Sequence, residues 1–371
     1  MSMVVLAWLT MAVLGVFAAR RLVALMSAFG RIPERAGEAE VPAVVVLAPM
    51  RNEEGRGGAL LEALSRLEYP AERLEVVLGD DASADGTSAM LAAWAGGRGN
   101  AQVLKSPVQV GKAALLNRML AMAAGAGAPL VAVYDAKHSP APDSLGKLVA
   151  AMADARLGCA RGYLEPRNAR ASVVARYAAL EYWVTQLVDH AGRERLGRSS
   201  PPAGGNSVYR RAALEEVGGF REGAYSEDTE QFLALTGAGW ACRYVPSARA
   251  STTVVESLSA FWNQRLRWNR GLYAAAGRYR GSRRFSTLGY LDRLAVLAAV
   301  GFAVGGWLPI WAPAAYLALP VLMVGGALVK AGAVREAPAY LCAAVLMFPV
   351  DLAVTIRGSL LAVTRRGPKW R

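Results

Sequence analysis

Residues 294–329 contain no charged side chain, and no other feature restricts the fold of this chain so sharply. As one helix, rising about 1.5 Å per residue, the run would far exceed a hydrocarbon core roughly 30 Å thick. Pro309 and Pro313 near its middle predict two short helices joined by a turn. A second apolar segment, 3–19, is just long enough to cross a bilayer and leads directly into Arg20 and Arg21. It lacks the leading basic residue and the small-residue cleavage site of a signal peptide, so a retained transmembrane helix over 1–21 is expected. Because basic residues collect on the cytoplasmic side, Arg20, Arg21 and the chain beyond them belong in the cytosol. A third apolar segment, 338–364, is interrupted by Asp351 and Arg357. Charges in such segments usually face a bundle interior. The membrane region 289–371 therefore holds two or three helices. With three, the basic tail "RRGPKWR" would fall outside, against the positive-inside rule.

Elsewhere composition mainly excludes. Two histidines, His138 and His190, and three scattered cysteines leave no material for a multi-His zinc site, a His-based triad or a disulfide framework. The formal charge of +13 suits anionic lipid or a phosphorylated substrate. The basic residues are dispersed, without an RNA-binding signature, so no nucleic-acid partner is expected.

Between the apolar ends, roughly 42–255, the pattern changes. Short β-rich runs at 43–48, 74–79, 101–104 and 130–134 alternate with helix-like stretches at 57–67, 86–95 and 112–124. This predicts an α/β domain built on a parallel sheet, with ligands beyond the carboxyl ends of the strands. Polar motifs come directly after those strands: "APMRNEE" with Pro49, Asn52 and Glu53; "GDDASADGT" with Asp80 and Asp81; and "YDAKH" with Asp135. Lys112 opens a helix in "GKAALLN", where a cation opposes the helix dipole and an anionic ligand explains it better. "YSEDTE" presents Glu227 and Asp228 at a loop-to-helix junction. Residues 256–285 read as an interfacial amphipathic helix, with Gln264, Arg267 and Trp268 on one face at i, i+3 and i+4.

These elements, with "GGNSVYRR…VGGF" and "QRLRW", resemble the family 2 glycosyltransferases of GT-A fold. The likeness is greatest to the membrane-embedded branch that carries Gln-x-x-Arg-Trp. The resemblance covers about residues 42–272 and implies a role for each polar motif. Asp81, with Asp80 beside it, would accept hydrogen bonds from a uracil ring or its ribose. Pro49, Asn52 and Glu53 would line the nucleotide pocket, with Lys112 nearby. Asp135 would face the diphosphate through Mg²⁺ or Mn²⁺. Asp228 would be the general base, with Glu227 as its rival. Gln264 and Arg267 would close over the diphosphate and Trp268 would pack against the acceptor. Gly204, Gly205 and Asn206 would shape the acceptor side.

One base and no second carboxylate nucleophile imply single displacement, hence inversion. The expected protein is an integral membrane enzyme of the inner or plasma membrane, taking a UDP-sugar to a lipid or glycolipid acceptor. A processive polysaccharide synthase and a catalytically degenerate scaffold are the alternatives. Lys137 is the departure: it stands where the resemblance expects a second carboxylate on the metal. Three arrangements are open. Asp135 and substrate alone hold the metal, with or without His138; the Lys137 ammonium replaces part of the metal's charge; or Lys137 points to solvent.

Overall fold

The structure, a computed structural model, describes residues 2–32, 41–123, 127–201, 204–279 and 295–363. Its centre is a sheet of β1 (Val44–Met50), β2 (Leu74–Asp81), β3 (Ala101–Ser106), β4 (Leu130–Val133), β5 (His138–Pro140), β6 (Leu157–Pro166), β7 (Ser207–Arg210) and β8 (Ala241–Thr252). Their spatial order is β3-β2-β1-β4-β7-β6-β8-β5. The first four in that order run parallel, whereas β7 is antiparallel to both β4 and β6. β6 and β8 are again parallel, and β5 lies antiparallel on the edge.

The sheet is therefore mixed, and the parallel expectation holds for one half. The half it missed is made of strands whose polar residues, among them Arg161, Glu165, Arg243 and Ser251, break up the apolar runs that identify buried parallel strands. Along β1 the alternation feeds two cores. Val44, Val46 and Ala48 pack with Leu60, Leu91 and Leu145 on one face; Val45 and Leu47 pack with Leu115, Leu116 and Met119 on the other. Each buried Val, Leu or Met side chain contributes about 1.5–3 kcal/mol, which fixes the strand ends from which the polar loops emerge.

Among the described residues, three helices are long and apolar enough to cross a membrane: Met3–Ala28, Trp311–Lys330 and Val334–Leu361. The first continues through Arg20 and Arg21 rather than ending there, and Arg21 lies 5.4 Å from the centroid of the Tyr316 ring. The uncharged run does divide in two, as helices Ala295–Val304 and Trp311–Lys330. Pro313 sits in the first turn of the second, where its missing N–H costs no intrahelical bond. The N-terminal helix is tied to the sheet domain at Gly192, where an added Cβ would lie 2.2 Å from the Ala24 carbonyl oxygen.

The amphipathic helix spans Leu258–Arg278, N-capped by Ser257, whose Oγ accepts from the Ala260 amide. It runs along the last apolar helix. Phe261, fully buried, meets Tyr177 edge to face at 5.7 Å, and Gly358 gives room to Asn269. Residues 280–285 of its expected extent, and the tail 365–371, lie outside the described residues.

Candidate active site

A cleft of about 840 Å³ opens at the carboxyl ends of β1, β2 and β4, and the amphipathic helix forms its opposite wall. Asp81 ends β2 almost fully buried, its carboxylate accepting from the amides of Val110 (2.7 Å) and Gly111 (2.9 Å). Gly111 has φ of 88°, a conformation open to glycine at no steric cost. The pair of bonds sets the start of helix Lys112–Met122 and aims Lys112 into the cleft.

There the Lys112 ammonium lies 2.5 Å from Asp135 Oδ1 and 2.5 Å from Glu227 Oε1. Burial alone would push its pKa down, but the two carboxylates more than reverse this and hold it protonated. Lys112 thus already has anionic partners within the protein, which accounts for a cation at a helix start. Burial likewise raises the Asp135 pKa, and Lys112, His138 and Lys137 reverse it, holding the carboxylate well below its ordinary range.

Asp228 lies in the first turn of helix Glu227–Gly237. Its Oδ1 accepts from Ser226 Oγ (2.6 Å) and from the Thr229 amide (2.7 Å). Its Oδ2 faces Gly204: an added Cβ there would lie 3.4 Å from it and 3.5 Å from Asp135 Oδ2. Two carboxylate oxygens therefore converge on a glycine whose φ of 75° disfavours any side chain. Burial, then the charge of Glu227, raises the Asp228 pKa. Glu227 is held by Lys112, whereas Asp228 keeps one oxygen open to the cleft.

Pro49, Glu53, Lys137, Arg267 and Trp268 also line the cleft. Burial raises the Glu53 pKa against the opposing effect of Arg56. Arg267 donates to the Tyr225 carbonyl at 3.3 Å. The Arg265 guanidinium stacks between Phe261 and Trp268, 4.8 and 4.7 Å from their centroids.

Five expected residues are not among those lining the cleft. Asn52, with φ of 53°, exchanges bonds with Ser83 and Ala84 and joins two loops. Asp80 is wholly buried and accepts from the Ser83 amide within its own turn. Asn206 is wholly buried, donating to the Tyr163 and Ala248 carbonyls and accepting from Ser144. Gly205 makes space for His138, whose Nδ1 would be 2.3 Å from an added Cβ. Gln264 is half-buried and stays off the cleft wall. Polar residues at turns satisfy backbone groups as readily as ligands, and sequence cannot separate the two uses.

Whether a divalent metal fits depends on the donor set. Among the described residues, no group of three or more His, Cys, Asp or Glu is gathered to hold one. His138 is 1% exposed and its pKa is lowered to about 3, chiefly by burial. Its Nδ1 accepts from the Asp135 amide at 3.4 Å, so the neutral ring carries its proton on Nε2. Nε2 lies 4.0 Å from Asp135 Oδ2, beyond hydrogen-bond reach, and the buried ring presents no free nitrogen lone pair to the cleft. Asp135 Oδ2 is the oxygen left to meet an ion, and one or two carboxylates suffice for Mg²⁺-type binding when a bound ligand supplies further oxygens.

The far end of the cleft was not anticipated. Helix Val173–Trp183 continues as a π-helical stretch, Val184–His190, and brings Glu181, Tyr182, Thr185 and Gln186 to the wall. Gln186 is pinned to β6 by two bonds to the Leu164 backbone, both 2.9 Å. Asp351 and Thr355 come from the last apolar helix. The uncharged neighbours of Asp351 were the available signal, since a charge there must face protein.

The family described as "Glycosyl transferase family group 2" matches residues 130–348. An N-acetylglucosaminyltransferase of Rhizobium leguminosarum bv. viciae is 28% identical over 73% of this chain and 68% of its own. The β-monoglucosyldiacylglycerol synthase of Trichormus variabilis is 29% identical over 64% of this chain and 50% of its own. The chain thus spans between half and about two thirds of the length of these relatives. Among solved structures, the mannosyltransferase PcManGT of Pyrobaculum calidifontis, in complex with GDP-Man and Mn²⁺, superposes with a TM-score of 0.60. It covers 96% of this chain and 100% of its own at 21% identity, a likeness of fold. Built on a GT-A fold, and matched by the family over more than half its length, the chain belongs to the glycosyl transferase family group 2.

Proposed function

We propose that the chain transfers a sugar from a UDP-sugar to the hydroxyl of a membrane lipid or glycolipid, with inversion at the anomeric carbon. One observation carries the acceptor side of this reading. The helix that supplies Asp351 and Thr355 to the cleft exposes Leu346, Phe348, Leu352 and Ile356 elsewhere on its surface. A lipid held against those residues brings its head to the cleft without leaving the bilayer. In this reading the apolar helices anchor the protein, and Arg20 and Arg21 orient the sheet domain to the cytosol.

The donor's nucleoside lies toward Pro49, Glu53 and Asp81, and its diphosphate toward Lys112, Lys137 and Arg267. The Oδ2 of Asp228 takes the proton of the acceptor hydroxyl as its oxygen attacks the anomeric carbon, while the nucleoside diphosphate leaves. Arg267 supplies a planar guanidinium to the departing phosphates. Asp135 would hold a divalent ion with the donor's phosphates, and such an ion, when bound, offsets charge on the leaving group.

Purified protein in detergent, given UDP-sugars, GDP-mannose and a lipid panel, is expected to release UDP only when donor and acceptor are both present. The product should be a single glycolipid of inverted anomeric configuration by NMR. A ladder of saccharides on a gel would instead identify a chain-extending synthase, and no nucleotide release from any donor would refute transfer altogether.

The amphipathic helix should report on the two substrates separately. Arg267→Ala is expected to weaken UDP binding about tenfold or more, the loss of a charge-assisted contact. Trp268→Ala should spare UDP affinity and raise the acceptor KM. Titration calorimetry with UDP checks both, and parent-like affinity in the Arg267 variant would remove the helix from the nucleotide.

A further inference from the structure

The far end of the cleft holds three charged side chains: Glu181, Arg265 and Asp351. They come from the helix before the π-helical stretch, the amphipathic helix and the last apolar helix. Arg265 pairs with Glu181. Its Nε is buried and makes no hydrogen bond, while Asp351 Oδ1 lies 3.9 Å away. Asp351 Oδ2 accepts from Tyr177 Oη at 3.3 Å. A quarter of the Asp351 side chain and 28% of that of Glu181 remain exposed. His190, also at this end, is kept neutral by burial and then by Arg161 and Arg193.

An N–H donor and a carboxylate oxygen thus face each other across a gap too wide for a bond between them. The group that completes both is one that donates and accepts at once. A hydroxyl does so, giving its proton to Asp351 Oδ1 and taking one from Arg265 Nε. An ammonium offers no acceptor. A phosphate offers no donor when fully ionised, and would meet the partly exposed carboxylates of Glu181 and Asp351 before the Arg265 guanidinium, whose side chain is 12% exposed. Leaving the buried Nε unmet costs about 1–3 kcal/mol, so the site favours an occupant that satisfies it.

We propose that Asp351, Arg265 and Glu181 form a subsite for the hydroxyls of an uncharged polyol or sugar head on a lipid, and that the subsite rejects phosphate-bearing heads. The proposal rests on the transferase reading above and names its acceptor class. Rejection follows from like charge, the usual way a site discriminates by repulsion. Discrimination thus lies on three helices rather than on the strand ends, on residues that none of the donor contacts use.

The test uses the full chain in a detergent without hydroxyls and two probes with identical chains, dioctanoylglycerol and dioctanoyl phosphatidic acid. Radiolabelled dioctanoylglycerol is expected to bind at least tenfold more tightly. Asp351→Ala should weaken that binding about tenfold, and Asp351→Asn or Glu181→Gln should bring the two affinities closer together. Retained UDP affinity certifies that each variant is folded. Equal binding of both lipids by the parent overturns the proposal, as does an unchanged preference in folded variants. Lipid binding needs no turnover, so the outcomes separate. A clear preference without transfer to any lipid would sink the transferase reading alone, and transfer without the preference would sink this one.

Discussion

Asp228→Asn is expected to lower turnover by about 10²–10⁴-fold, the range for loss of a general base, while UDP affinity stays at the parent's value. The amide keeps the size of the carboxylate, and its oxygen can still accept from Ser226 and the Thr229 amide, the two partners of Oδ1. What disappears is the lone pair at Oδ2, on the side facing Gly204. Single-turnover measurements on purified variant, with UDP binding measured in parallel, decide the matter. Parent-like turnover would move the role to another carboxylate.

The pH profile adds a signed consequence. Burial and the charge of Glu227 raise the Asp228 pKa above its ordinary value of 3.8. The base is active when deprotonated, so turnover should fall as pH drops through this raised pKa. Glu227→Gln removes one cause of the shift and should move the acidic limb of kcat toward lower pH. A limb that stays put would show that the titrating group is not Asp228.

The parts of this site legible in the sequence were those where a long apolar run delivers a polar residue. β1, β2 and β4 are such runs, and Pro49, Asp81 and Asp135 follow from them. Illegible were pairings between distant segments. Nothing local says that Lys112 meets Glu227 (2.5 Å), or that Asn206 spends itself on carbonyls of β6 and β8. The mixed half of the sheet was hidden for the same reason, its strands being specified by long-range pairing of half-polar segments. Asp351 was visible as an anomaly among apolar neighbours, but its place beside Arg265 depends on how two helices lie together.

The second large effect concerns Asp135 and Lys137. Asp135→Asn should cost about 10²–10³ in kcat, the scale for removing one electrostatic element at a leaving group. Two distinct losses combine in it. The amide removes the carboxylate proposed to meet a divalent ion, and it also leaves the Lys112 ammonium with Glu227 alone. Lys137 separates them, because it lines the cleft and its charge acts on both Asp135 and Glu53. A cation beside a lone carboxylate repels a second cation, so the parent should bind Mn²⁺ weakly and need about millimolar Mg²⁺ or Mn²⁺, as expected when one carboxylate and substrate phosphates are the ligands. Lys137→Asp reverses the local charge and supplies a second carboxylate. Electron paramagnetic resonance titration in the presence of UDP should then show Mn²⁺ held at least tenfold more tightly, with Asp135→Asn binding none measurably. Full activity of the parent in excess EDTA would overturn this account, and the ammonium groups of Lys112 and Lys137 would then be the charge that offsets the departing diphosphate.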